Sequence, residues 1–414
     1  MDLLNTPTAI VVSFCLLGVM LYKRVKLGIT LNATALALAF LSLEWHQIPS
    51  VIYSTTVDLL TIAVVLATFA IMLLSQLYEE TGYIERLSTN LSKIVNNPKI
   101  VLGLLPAIIG FLPVAGGALM SAPIVDTEAE KLKLKPEKKA YVNIWFRHTI
   151  FPVYPVSQLL IATAALTGAP LSIIILRQIP VVIVMIIVGY FFSFWKVPKF
   201  QNKEKQEEDA NLNSSLKGFL VAFFPILTTI IVVALFSVID IGLPEQNLYV
   251  LIATLLGLAV LIGISKAGIH TIAKPFKNWG VYDVTMAAYG AFLLRNTMKL
   301  AGIESIFQEL VTSGSLDIAY IITIVPTILG FLTGSPLTSI SISASIIPSN
   351  IVSLPQTAAL VYMSAYLGYV ITPTHLCFTF TTDYFKAPLE KVYKYVIPSF
   401  LITFAAALAI YFRA

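Results

Sequence analysis

Residues 146–158 read FRHTIFPVYPVSQ and set Arg147 and His148 inside a run that otherwise has the composition of a membrane helix. A guanidinium held at depth is a fixed cation with a planar fork of donors. It either pairs with an anionic substrate through charge-assisted hydrogen bonds or satisfies backbone carbonyls of a neighbouring segment. Pro152 and Pro155 remove backbone donors and disfavour helix in the residues before them, which predicts an unwound stretch from Thr149 to Tyr154. YVITPTH, residues 369–375, repeats the proline device around Pro373, but the charged residues are not shared: on an offset of 218 Arg147 and His148 match Ala365 and Tyr366, and His375 matches Ser157. His148 and His375 are each open to two readings, a proton carrier or a neutral hydrogen-bonding group against freed backbone. Neighbouring helical positions point about 100° apart, so Arg147 and His148 face one ligand only where the helix is already unwinding.

The elements that must position these residues follow from composition. Of 414 residues, 57% are hydrophobic and 12% charged, with a mean hydropathy of +0.85. Apolar runs of roughly 17–25 residues, the length that crosses about 30 Å of hydrocarbon, recur along the chain. This predicts an all-α polytopic membrane protein. The crossings are expected near 6–22, 29–45, 53–76, 138–164, 178–195, 217–238, 247–264, 280–298, 355–384 and 395–412. The first apolar run lacks a basic n-region and a small-residue cleavage site, so it is read as a span and not a signal peptide. Cys15 and Cys377 lie in apolar segments and imply no disulfide framework; they read as small core residues. The net charge of +5 is topological: 22 of the 27 basic residues fall on one side of the ten crossings, about four on the other, and Arg147 lies between. That asymmetry predicts a cytoplasmic membrane location with both termini outside, and leaves nothing for nucleic acid to bind.

Two apolar stretches do not fit the crossing count. Residues 100–126 and 318–352 each break at a Pro/Gly-rich centre into arms that reach only mid-membrane, and both are expected to be re-entrant hairpins. The chain also repeats. Gly82 matches Gly302, and GFL at 110–112 matches GFL at 330–332, both displaced by 220; Pro155, Pro170 and Pro180 match Pro373, Pro388 and Pro398, displaced by 218. We therefore expect two inverted-topology repeats, 1–200 and 217–414, joined by a cytoplasmic linker at 201–216. Each contains five crossings, one of them broken (138–164 and 355–384), and one hairpin. Inverted repeats with interrupted helices point to a secondary transporter with a site at the bilayer midplane.

The expected substrate contacts are Arg147, His148, Thr149 and Tyr154 at the first break, Gly116, Gly117 and Ser121 at the first hairpin, Thr333, Gly334, Ser335 and Thr338 at the second, and Thr372, Thr374 and His375 at the second break. The glycines allow close approach of a ligand to backbone, and the hydroxyls supply neutral contacts. The substrate expected is a small organic anion, a carboxylate. Transport is coupled to Na⁺, for which hydroxyls and carbonyls near Pro113, Ala115, Ser335 and Thr374 offer hard oxygen ligands, or to H⁺. No organic or metal cofactor is expected. Asp126 and Asp383 lie near predicted cytoplasmic ends and read as interfacial. A channel-like facilitator is the first alternative. An intramembrane enzyme is less favoured, because the chain has no HExxH, no Gly-x-Gly-Asp and no Ser/His pair at a defensible spacing, and two histidines alone do not make a metal site.

With two inverted copies, each a hairpin followed by a proline-broken helix, the chain resembles over its whole length an uncharacterised ten-span archaeal and bacterial family of the ion transporter superfamily, related to the gluconate permease, citrate and divalent anion/sodium symporter families. The tips here read PVAGGALMS and TGSPLTS, where the dicarboxylate symporters of that group carry Ser-Asn-Thr. The resemblance implies an elevator mechanism, in which hairpins and broken helices slide against the remaining spans, in a homodimer surrounded by lipid.

Overall fold

The computed structural model describes residues 5–95, 97–112, 117–197, 209–239, 242–245 and 247–413. Among them every regular element is helical. The first half runs α1 (Thr6–Tyr22), α2 (Leu27–Ser42), α3 (Gln47–Val57), α4 (Leu59–Glu80), α5 (Tyr83–Ile94), α6 (Pro98–Gly110), α7 (Gly117–Lys131), α8 (Pro136–Arg147), α9 (Gln158–Thr167) and α10 (Leu171–Phe194). The second runs α11 (Asp209–Val238), α12 (Asn247–Ser265), α13 (Ile269–Ala273) with a 3₁₀ turn at Pro275–Lys277, α14 (Trp279–Leu300) and α15 (Ile303–Thr312). It continues with α16 (Ile318–Ile322), α17 (Ile324–Thr333), α18 (Pro336–Ile346), α19 (Ser349–Val352), α20 (Pro355–Ile371), α21 (Leu376–Tyr384) and α22 (Leu389–Arg413).

Five of these helices, α4, α10, α11, α12 and α22, are long and apolar enough to cross a membrane. Their outward faces are apolar: Leu176, Ile187, Leu220 and Leu401 are exposed, a surface that suits hydrocarbon and not water. The crossing expected at 53–76 is divided differently. Asp58 ends α3 and caps α4, its carboxylate accepting from Thr61 N (2.9 Å) and Thr61 Oγ1 (2.7 Å), so the long helix starts at Leu59 and the preceding residues form a separate short helix.

Turn chemistry accounts for several helix ends. Gly82 and Gly302 start α5 and α15 in the left-handed conformation, with φ of 68° and 74°. The other left-handed caps include Arg24, Lys133, Lys196, Lys266 and Lys386, where a side chain other than glycine accepts roughly 1–2 kcal/mol of strain. A cation beside the last carbonyls of a helix offsets part of that.

Pairs of contacts recur between the halves. α2 packs on α14 and α12 on α4; α7 packs on α21 and α18 on α9; α8 packs on α22 and α20 on α10. At the two GFL sequences the glycine makes the closest approach. A Cβ at Gly110 would lie 2.6 Å from the Arg147 carbonyl oxygen, and one at Gly330 would lie 2.2 Å from that of Ala365. Only glycine lets α6 pack on α8, and α17 on α20, at those separations.

Candidate functional site

α8 stops at Arg147, with His148 as its C-cap, and α9 begins at Gln158. The interruption covers residues 148–157, longer than the Thr149–Tyr154 expected. Pro152 and Pro155 both lie inside it, and Thr149 terminates the helix by donating from Oγ1 to Phe146 O at 2.8 Å. The second interruption is shorter, residues 372–375 between α20 and α21. Pro373 is exposed there, and the hydroxyls of Thr372 and Thr374 are 3.0 Å apart.

Arg147 is 2% exposed, and its donors go to the first hairpin. Nη1 donates to Gly117 O at 3.2 Å and Nη2 to Leu112 O at 3.3 Å, so the guanidinium spans the hairpin tip from one arm to the other. Nε has no partner, and among the described residues the ion pairs involve other groups, leaving Arg147 a buried charge without a counter-ion. Of the two sequence readings, the bonds observed are those of the carbonyl-satisfying one. The tip residues Pro113, Ala115 and Gly116, expected near substrate or Na⁺, lie outside the described residues.

Ser121 also turns to its neighbours. Its Oγ is 2.6 Å from Asn143 Oδ1, and Asn143 Nδ2 donates to Ala118 O (2.9 Å) and Thr381 Oγ1 (3.0 Å), tying α7, α8 and α21 together. Asn143 was not among the expected residues; its signal was a carboxamide within the buried run YVNIWF. At the second hairpin, Ser335 caps α18, its Oγ accepting from Thr338 N (3.2 Å) and Thr338 Oγ1 (2.9 Å), while Thr333 Oγ1 donates to Leu329 O at 2.6 Å. Gly334 sits at φ 61° directly against the second break, where a Cβ would come 2.6 Å from Thr374 Oγ1. Ser335 and Thr374, two of the positions expected around Na⁺, are thus brought to one place. Asp126 accepts from Lys139 at 2.7 Å, an ion pair that Glu130 shares.

A cavity of about 270 Å³ opens between the first interruption, the second hairpin tip and α20 on one side and a wall formed by α2, α4 and α14 on the other. Tyr154, Ser157 and Gln158 contribute from the first break, Gly334 and Ser335 from the second hairpin, and Tyr366 and Tyr369 from α20. The opposite wall is Leu27, Thr68, Val284, Ala287 and Ala288. Of the expected substrate positions, Tyr154, Gly334 and Ser335 therefore face the cavity. Arg147 lies behind the wall, since the carbonyl it holds at Leu112 follows Phe111, a lining residue. Ser157, Gln158, Tyr366 and Tyr369 were missed. A YxxY spacing just before TPTH, and a glutamine opening an apolar run, were the available signals. Gln158 lines the cavity, and its Nε2 is buried with no hydrogen-bond partner among the described residues.

Behind Tyr366 and Tyr369 the two histidines meet. Their ring centroids are 4.8 Å apart at 85°, and Tyr366 Oη donates to His148 O at 2.7 Å. His148 Nδ1 bonds Ile144 O at 2.6 Å, and His375 Nε2 is 2.6 Å from Tyr369 Oη.

Fold and site together define an all-α chain of apolar, membrane-length helices interrupted at two points beside one cavity. The chain belongs to the family described as Protein of unknown function (DUF401), whose model matches residues 6–412. No curated protein matches it.

Proposed function

We propose that this protein is a secondary active transporter of the elevator type that moves a small organic anion, a carboxylate, across the cytoplasmic membrane, coupled to Na⁺ or H⁺. The observation that carries the reading is the cavity: it is bounded on one side by the first helix interruption, the second hairpin tip and the α20 tyrosines, and on the other by α2, α4 and α14. Sites of this kind suit transport because unwound backbone and half-helix ends offer polar groups at membrane depth. Gln158 and Ser157 line the cavity, Gln158 Nε2 being a buried donor without a partner among the described residues, and Arg147, a buried cation without a counter-ion, favours a negative occupant nearby.

Inverted repeats underlie the mechanism we propose. The five long helices together with α1, α2, α14 and the pairs α8–α9 and α20–α21 make ten crossings, and α6–α7 and α16–α18 make the two hairpins. The reciprocal helix contacts and the matched glycine approaches, Gly110 to Arg147 and Gly330 to Ala365, support the offset read from sequence. The left-handed caps support the inversion. Arg24 and Gly242 are 218 apart, as are Gly168 and Lys386; all four have positive φ, and in each pair the basic residue falls on the proposed cytoplasmic side. With that orientation the cavity reaches from the second hairpin tip toward Leu27 at the cytoplasmic end of α2, an inward-facing arrangement. Membership in the ion transporter superfamily and a homodimeric assembly are part of the same proposal.

The test is uptake into proteoliposomes of labelled acetate, lactate, succinate, citrate and gluconate, under a sodium gradient at equal pH and then a pH gradient without sodium. At least one acid is expected to show saturable, gradient-driven uptake that Gln158→Ala reduces tenfold or more. Flux that rises without saturation would replace the transporter with a channel, and no flux of any of these acids would remove the carboxylate assignment.

A further inference from the structure

We propose that His148, His375 and Cys377 form a binding site for a soft monovalent metal ion, Cu⁺, buried between the two helix breaks. The inference does not rest on the transport reading. The three residues each present a ligand atom, and these atoms lie within 4.8 Å of one another. The fold brings them together from distant stretches: His148 caps the end of α8, His375 caps the start of α21, and Cys377 is in the first turn of α21.

The hydrogen bonds of both imidazoles leave the inner nitrogens free. His148 Nδ1 bonds Ile144 O, a carbonyl that can only accept, so Nδ1 carries the proton and Nε2 keeps its lone pair. His375 Nε2 is 2.6 Å from Tyr369 Oη; in the tautomer whose Nε2–H donates to that oxygen, Nδ1 keeps its lone pair, and it is buried without a partner in a side chain 2% exposed. One ring nitrogen held by a carbonyl or hydroxyl and the other left open is the arrangement found where histidine binds a metal, the outer partner orienting the ring. An orphaned buried nitrogen is a cost to the folded protein unless something occupies it.

The donor set selects the ion. Two imidazoles and a thiolate suit soft or borderline transition metals and not Na⁺, which takes hard oxygen ligands. Metal–nitrogen and metal–sulfur bonds of about 2.0 and 2.3 Å in a trigonal site put the ligand atoms about 3.5–3.7 Å apart. No two of the ligand atoms are more than 4.8 Å apart, so closing the shell takes a movement of roughly 1 Å. Charge decides between Zn²⁺ and Cu⁺. With one thiolate, Zn²⁺ leaves a net positive site and Cu⁺ a neutral one, and the residue next to His148 is Arg147, already a buried cation without a counter-ion. Binding converts Cys377–SH and Cu⁺ into a Cu–S bond and one released proton. Cys377 is half-buried, and Tyr366 and Tyr369, which line the cavity, pack against His148 and separate the site from the cavity.

The full chain with Cys15→Ser, purified in detergent, would be incubated anaerobically with Cu⁺ against bathocuproine disulfonate and analysed for metal content and by copper X-ray absorption. One Cu⁺ per chain is expected, with a shell of two nitrogens and one sulfur, and with at least tenfold weaker retention after Cys377→Ser or His375→Gln. Absence of sulfur from the shell of the Cys15→Ser protein would overturn the site even if the other variants failed to fold. Unchanged retention by Cys377→Ser, or displacement of Cu⁺ by an equal concentration of Zn²⁺, would overturn it as well.

Discussion

Replacing Arg147 by Gln and by Lys separates the two roles its position allows. Gln cannot span from Leu112 O to Gly117 O, so both buried carbonyls lose their donor, at roughly 1–3 kcal/mol each. Relief of a buried charge that lacks a counter-ion works the other way, which brings the expected loss of stability to about 2–3 kcal/mol. Lys keeps the charge and one of the two contacts, so about 1–2 kcal/mol is expected. The effect on an anion in the cavity is separate. Arg147 bonds the carbonyl of Leu112, the residue after the lining Phe111, and for an assumed separation of roughly 8–10 Å in a medium of effective dielectric near 20 its charge contributes about 2 kcal/mol, or close to thirtyfold in affinity. Arg147→Gln should therefore bind the anion about thirtyfold more weakly, while Arg147→Lys stays within a few-fold. The assay is equilibrium binding at a temperature where all three proteins are folded, with thermal unfolding measured alongside. If Gln and Lys both bind as tightly as the parent while unfolding at lower temperature, Arg147 is a clasp for the hairpin and the charge argument fails.

Gly330→Ala drives a methyl group to 2.2 Å from the Ala365 carbonyl oxygen and should cost about 2–3 kcal/mol by parting α17 from α20; Gly263→Ala in α12, where nothing lies within 4 Å, should be neutral or stabilising by up to about 1 kcal/mol in the same unfolding assay. In a background without Cys15 and Cys377, cysteines at Lys135 and Ser313 should be labelled by a membrane-impermeant maleimide from opposite sides, Lys135 from the cytoplasm; labelling from the same side would sink the inverted topology.

Much of the plan was legible because it is written in residues with strong local effects. Pro152, Pro155 and Pro373 fall in the two helix interruptions, and the GFL glycines mark the tight approaches at Gly110 and Gly330, so the breaks could be located by reading along the chain. The destination of a flexible polar side chain was not legible. Arg147 has as many ways to satisfy five donors as there are neighbours, and its choice of Leu112 and Gly117 depends on how α6, α7 and α8 pack. The far wall of the cavity left no trace, since Leu27, Val284, Ala287 and Ala288 are ordinary apolar residues of α2 and α14. The same holds for Cys377, which looks like a small core residue until α21 is seen to bring it beside His148.

The proposed elevator needs a surface along which one body can slide, and the hydrogen bonds suggest where it lies. Tyr141 meets Ser399 at 2.6 Å, Trp145 Nε1 donates to Met185 O at 2.9 Å, Gln178 Nε2 to Ala359 O at 2.7 Å and Tyr393 Oη to Ile371 O at 3.0 Å. These buried bonds join α8 and α20 to α10 and α22, and breaking them in hydrocarbon without water to replace them would be expensive. The moving body is then larger than hairpins and broken helices alone: α10 and α22 belong to it. Against α2, α4 and α14 the facing residues are mostly of another kind, with Ala287, Ala288, Leu337 and Pro336 lining the cavity from its two sides; the buried bond from Ser341 Oγ to Ala291 O at 2.8 Å is one that a displacement has to break. Small and apolar side chains can exchange partners during a displacement at little cost, because dispersion contacts are non-directional and are remade as fast as they are lost. In such a motion Tyr154, Gln158, Gly334 and Tyr369 travel with the substrate, and the wall of α2, α4 and α14 is what they leave behind.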